Sequence, residues 1–198
     1  WFGRVLRGPH QGATLAAVDV SVLTPGERLS VVQEGAFVGC AAPTSREAAH
    51  AVEQLAETAR WEEVPQPSSE DLEQYFRENQ RPEGGGRRGS RTDAVGDVDA
   101  VFATAQQVHE ATYAIPYIQH VPMEPRAALA HWEDGRLTVW TGTQRPDGVQ
   151  GELAEAFSIP RARVRVIVCD TGGGFGGKHT GECAVEAARL ARAARRPV

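Results

Sequence analysis

The stretch Asp170–Glu182, which reads DTGGGFGGKHTGE, constrains this chain more than any other. Five glycines lie within Gly172–Gly177, and Lys178 follows at once. Without a Cβ, glycine reaches positive φ and lets its backbone approach a ligand or another backbone closely. The apolar run Val164–Cys169 before the glycines predicts a buried strand. The residues from about Thr180 to Arg195 predict a helix. A glycine loop between a strand and a helix presents backbone N–H groups as a cradle for an anion. Lys178 is the only lysine among the 21 Lys and Arg residues. It marks either a site that wants a compact ammonium instead of a planar fork, or a lone survivor of an arginine-biased composition.

Composition excludes several function classes. The net charge is −5 and no Lys/Arg tract stands out, which argues against nucleic-acid binding. Arg87, Arg88 and Arg91 cluster within a glycine-rich stretch that reads as a solvated loop. No apolar run approaches the roughly 20 residues of a membrane span. The three cysteines, Cys40, Cys169 and Cys183, give neither a disulfide framework nor the thiolates of an iron–sulfur centre. Cys40 and Cys169 sit in apolar runs and are expected to be buried. Cys183, at a helix start, is open to a lowered pKa or to core packing.

Organisation follows from turn and cap signals. Phe2–Arg7 and Ala13–Val20 read as a pair of strands around a Gly-Pro turn. Leu29–Val32 and Ala36–Ala42 read as a second pair, turning at Glu34-Gly35. Thr44 or Ser45 caps a helix to about Arg60. A short polar helix is expected over Glu70–Gln80, and a flexible linker over Arg81–Gly96. Beyond it, Asp97 caps a short helix to Ala105, and Gln107–Ile115 reads as extended. Ala127–Trp132 and Leu137–Thr141 suit an antiparallel pair turning at Asp134-Gly135. Asp147–Phe157 reads as a helix. The fold class is therefore α+β, with a unit over 1–64, a linker over 65–96 and a second unit over 97–198. The opening in a strand at Trp1-Phe2 and the ending at Arg196-Pro197-Val198 lead us to expect a fragment of a longer protein.

Three segments carry chemistry. Gly172-x4-Gly177-Lys178 satisfies most of a P-loop, but His179 stands where a Ser/Thr hydroxyl should hold magnesium. Tyr113, His120, Met123 and Glu124 lie in a segment restricted by Pro116, Pro122 and Pro125, suited to a pocket wall. His120 and Glu124 outside a helix make a poor metal pair and are expected to hydrogen-bond together as a structural pin. Gln144, in Thr141–Pro146, offers donors and an acceptor between a strand and a helix.

Taken in this order, the segments resemble the molybdenum-binding large subunit of the xanthine dehydrogenase and aldehyde oxidase family. The matching pieces are Tyr113…His120…Met123-Glu124-Pro125, Thr143-Gln144-x-Pro146, Ile159-Pro160-x3-Val164-x-Val166 and Gly172–Lys178. Gly3–Arg7, Gly12-Ala13 and Asp19 are similar to the small α/β hammerhead domain that precedes the molybdopterin-binding α+β domain. Bacterial, isoquinoline-oxidoreductase-like members are resembled most.

The resemblance implies oxidation of an aldehyde or N-heterocycle with water as the oxygen source, electrons leaving to a [2Fe-2S] partner subunit or domain. It implies a molybdenum–pterin cofactor, in the cytosine dinucleotide form of bacterial relatives. Gly174, Phe175, Gly176, Gly177 and Gln144 are the implied cofactor contacts, and no residue is assigned as a metal ligand. The family's general-base Glu lies further toward the C-terminus than Val198, so no catalytic residue is assigned, and Glu124 and Glu182 are poor substitutes. His179 stands where purine-oxidising members commonly carry Glu, which counts against purines. The molybdenum-contacting Gln near His120 falls at Ile118, beside Gln119, and is not assigned. A cytoplasmic or periplasmic location is expected. The alternatives are a non-catalytic cofactor-binding or assembly module on the same fold, and a P-loop nucleotide binder.

Overall fold

A computed structural model of the chain describes residues 1–80, 93 and 95–198. Most of the linker expected over Arg81–Gly96 lies outside the described residues. The chain divides into two compact units, one formed by Trp1–Val64 with Gln119–Val198 and the other by Pro65–Ile118.

In the first unit, β1 (Phe2–Val5), β3 (Ser30–Glu34) and β4 (Phe37–Ala42) make an antiparallel sheet in the order β1-β4-β3. The β3–β4 hairpin turns at Gly35-Ala36, one residue beyond the expected Glu34-Gly35, with Gly35 at φ +61. The pair expected between the first two strands does not form. β1 pairs with β4, while β2 (Thr14–Ala17) pairs with β5 (Arg60–Glu62). Helix α1 (Ser45–Thr58) starts with a capping box, the Thr44 hydroxyl accepting from the Glu47 N–H and the Glu47 carboxylate from the Thr44 N–H. Its Ala51 and Leu55 close a small core with Leu6, Leu23, Val38 and Cys40.

The other three-stranded sheet is mixed. β6 (Ala128–Glu133) and β7 (Arg136–Thr141) form a hairpin at Asp134-Gly135. After α4 (Pro146–Phe157), β8 (Val164–Val168) returns parallel to β7. Val198 exchanges both backbone hydrogen bonds with Ala130 on the free side of β6. β8 is an edge strand, so its far end is open and Cys169 is exposed, against the buried position its apolar run suggested. Helix α5 (Glu182–Ala194) contacts both three-stranded sheets. Its Ala184, Ala187, Ala188 and Ala191 are small enough to let both approach, and Leu190 fills a notch at Gly3 and Gly39. One core therefore joins Val32 and Ala41 to Leu137, Val139, Val149, Leu153 and Leu190.

The second unit contains α2 (Leu72–Glu78) and α3 (Val98–Thr104), the latter capped by Asp97 as its sequence requires. Residues 105–118 form no helix or strand. No described helix is long and apolar enough to cross a membrane.

Candidate functional site: a braced glycine loop

The glycine run leaves β8 and reaches α5 as an irregular loop, with Gly173 at φ +96 and Gly176 at φ +97. Both values lie where L side chains are penalised. Phe175 nevertheless takes φ +52, and its ring is 73% exposed. A non-glycine held in this region costs on the order of 1–2 kcal/mol, so the surroundings must impose the conformation.

Two acceptor oxygens impose it. Glu124 Oε2 accepts from the Gly172 N–H at 2.8 Å and from the Lys178 ammonium. One carboxylate oxygen thus joins the start of the loop to its end. Gln144 Oε1 accepts from the Gly176 N–H at 2.9 Å and, more weakly, from the Lys178 N–H at 3.4 Å. The Lys178 carbonyl accepts from the Gln144 N–H at 3.0 Å and the Thr143 hydroxyl at 3.1 Å. Within the loop, the Gly177 N–H donates to the Gly174 carbonyl at 2.7 Å. Lys178 is 1% exposed, one of the largest fully buried side chains.

This arrangement revises three sequence expectations. The His120–Glu124 pin does not form: Glu124 pairs with Lys178, and His120 lies against Gly176 and Gly177. The ammonium of a P-loop lysine must reach a phosphate, but that of Lys178 is buried on a carboxylate. α5 also starts only at Glu182, four residues after Lys178, and the Thr180 hydroxyl accepts from Arg126. The nucleotide-binding alternative therefore lacks its geometry. Neither carboxylate is free to act as a base, since Glu182 pairs with Arg126 at 2.8 Å. The Lys178 ammonium, then the Gly172 N–H, hold the Glu124 carboxyl below its ordinary value, which makes it a weaker proton acceptor. Among the described residues no three His, Cys, Asp or Glu side chains are placed to hold a metal ion together.

The residues named for cofactor contact lie together. A Cβ on Gly174 would sit 2.6 Å from Gln144 Oε1, and one on Gly177 3.1 Å from the Gly174 carbonyl. The N–H groups of Gly176 and Gly177 are used within the brace. Those of Gly174 and Phe175, and the amide N–H donors of Gln144, have no partner among the described residues. Unpartnered donors on a glycine loop beside an exposed aromatic ring fit an acceptor-rich, anionic pterin. The brace itself, Lys178 with Glu124, was missed; the lone lysine was the signal that could have found it.

The fold and the loop define a cofactor-binding α+β unit. Residues 83–198 match the molybdopterin cofactor-binding domain family, and the chain belongs to that family. It is 43% identical over 105 residues to the aldehyde oxidoreductase molybdenum-binding subunit PaoC of Escherichia coli, covering 52% of this chain and 14% of that one. It is 32% identical over 207 residues to a nicotinate dehydrogenase polypeptide of Pseudomonas putida, covering 99% of this chain and 17% of that one. The crystal structure of quinoline 2-oxidoreductase from Pseudomonas putida 86 matches with a TM-score of 0.70 and 26% identity, over 99% of this chain and 30% of that chain. Aldehyde oxidoreductase from Desulfovibrio gigas, at 19% identity and a TM-score of 0.69, shares the fold over 99% of this chain and 26% of its own. The chain thus spans under a fifth of the length of these curated relatives.

Proposed function

We propose that this chain is part of the molybdenum-binding subunit of an oxidoreductase that hydroxylates an aldehyde or an N-heterocycle with oxygen from water. The observation that carries this reading is the braced glycine loop, which leaves the donors of Gly174, Phe175 and Gln144 for a ligand. The names of the relatives, an aldehyde oxidoreductase, a nicotinate dehydrogenase and a quinoline oxidoreductase, support that substrate range. When bound, the molybdenum–pterin cofactor supplies a two-electron redox centre for exchanging a substrate C–H for C–OH.

The chain's own residues bind and orient. Gly174 and Phe175 offer backbone N–H groups, and Gln144 offers its amide once Oε1 is fixed by the loop. Gly176 and Gly177 let the loop lie close against His120. The exposed Phe175 ring walls the slot. The cofactor is proposed to be the cytosine dinucleotide form, and the electrons to leave through a [2Fe-2S] partner. Metal and nucleotide analysis of the full-length protein tests the reading. Molybdenum with released CMP is expected; a preparation without molybdenum would sink it.

A further inference from the structure

Lys178 and Glu124 do something that ligand contact does not explain. The lysine is 1% exposed, so its ammonium is not offered to a ligand, whereas the Glu124 side chain is 39% exposed. A buried ammonium is costly unless paired and hydrogen-bonded, so the pair must be supported by its setting. That setting is the loop. Glu124 Oε2 holds the Gly172 N–H and the Lys178 ammonium together, and the Lys178 backbone is held on both sides by Thr143 and Gln144. Every polar atom of Lys178 is engaged. The segment carrying Glu124 and the turn carrying Gln144 are thereby tied to one residue.

We infer that Lys178 and Glu124 are positioning residues: they cinch the two ends of the glycine loop and so pre-form the cofactor cradle before a ligand arrives. The loop would otherwise leave five glycines free to sample many conformations, and ordering them would be charged against binding. The strained φ of Phe175 needs such an external hold. This inference rests on the cofactor reading above only for the identity of the ligand.

The test uses the full-length protein with Lys178→Met, Glu124→Ala, Glu124→Gln and the double variant Lys178→Met/Glu124→Gln. Hydrogen exchange at the amides of Gly172, Gly176 and Lys178 is followed in cofactor-free protein, and molybdenum per polypeptide in the loaded form. Lys178→Met and Glu124→Ala are expected to speed exchange at these amides and to lower molybdenum content about 10–100-fold, the usual scale for outer partners of a metal site. Glu124→Gln keeps an acceptor for both bonds and is expected to rescue most of the protection. The double variant is expected to be no worse than Lys178→Met, because the two residues act as one unit. Unchanged exchange in Lys178→Met would overturn the inference. So would faster exchange with wild-type molybdenum content. Should Lys178→Met fail to fold, the two Glu124 variants decide, since that side chain is partly open to solvent. Wild type without molybdenum would overturn the cofactor reading instead, and the exchange data would still decide the brace.

Discussion

Glu124 and Lys178, 54 positions apart in sequence, form an ion pair whose cation is sealed from solvent and whose anion is not. The asymmetry sets how the pair responds to its surroundings. The partner that water and protons reach is the carboxylate.

Acid should therefore weaken the pair, removing its charge while leaving an acceptor oxygen in place. Glu124 titrates below its ordinary value in the folded chain, first because of the Lys178 ammonium and then the Gly172 N–H. A depressed folded pKa stabilises above the unfolded value and stops doing so as pH falls through the folded value. The difference in melting midpoint between wild type and Glu124→Gln should be fully present above the ordinary carboxylate range and shrink as pH falls below it. A difference constant across that range would contradict the assignment.

Gly176→Val should cost cofactor retention more than secondary structure. The residue sits at φ +97, where a Cβ is penalised by roughly 1–2 kcal/mol. That Cβ would also lie 3.2 Å from His120 Nε2. Circular dichroism close to wild type with molybdenum near background is the expected result. Full occupancy would refute the placement of the cradle.

Gly39→Ala should destabilise by about 1–3 kcal/mol, the range for overpacking. Its Cβ would meet the Arg4 carbonyl at 2.9 Å and Leu190 Cδ2 at 3.2 Å, and the first of these is backbone of the paired strand β1. Denaturant titration reads the change directly. A neutral result would mean that the strand can shift away from α5.

The cysteines should separate by reactivity in the native chain. Cys169 is exposed at the open end of β8 and should label first with a thiol reagent. Cys40 is buried, and desolvation pushes its pKa up to about 11, so it should label only on unfolding. Labelling of single-cysteine variants checks the order.

What the sequence made legible was local. The cap at Thr44, the turn at Asp134-Gly135 and the cap at Asp97 are each specified within four residues and appear where expected, while the first hairpin turns one residue later than expected, at Gly35-Ala36. The glycine loop and Gln144 were legible as motifs. What stayed hidden depends on partners far along the chain. β1 pairs with β4, more than thirty residues further along the chain, and no pattern within β1 records that partner. Cys169 was misplaced because an apolar run does not say whether its strand is central or at an edge. Lys178 carried a signal of being unusual, but its role needed Glu124 beside it.

The placing of α5 has a consequence for how this unit comes apart. Its alanines and Leu190 are covered on one side by the sheet of β1, β4 and β3 and on another by β6 and β7. Neither sheet can peel away without baring the same helix to water. Heating should therefore melt residues 1–64 and 119–198 in a single step, and two chains split between those stretches should reassemble by complementation when neither holds structure alone.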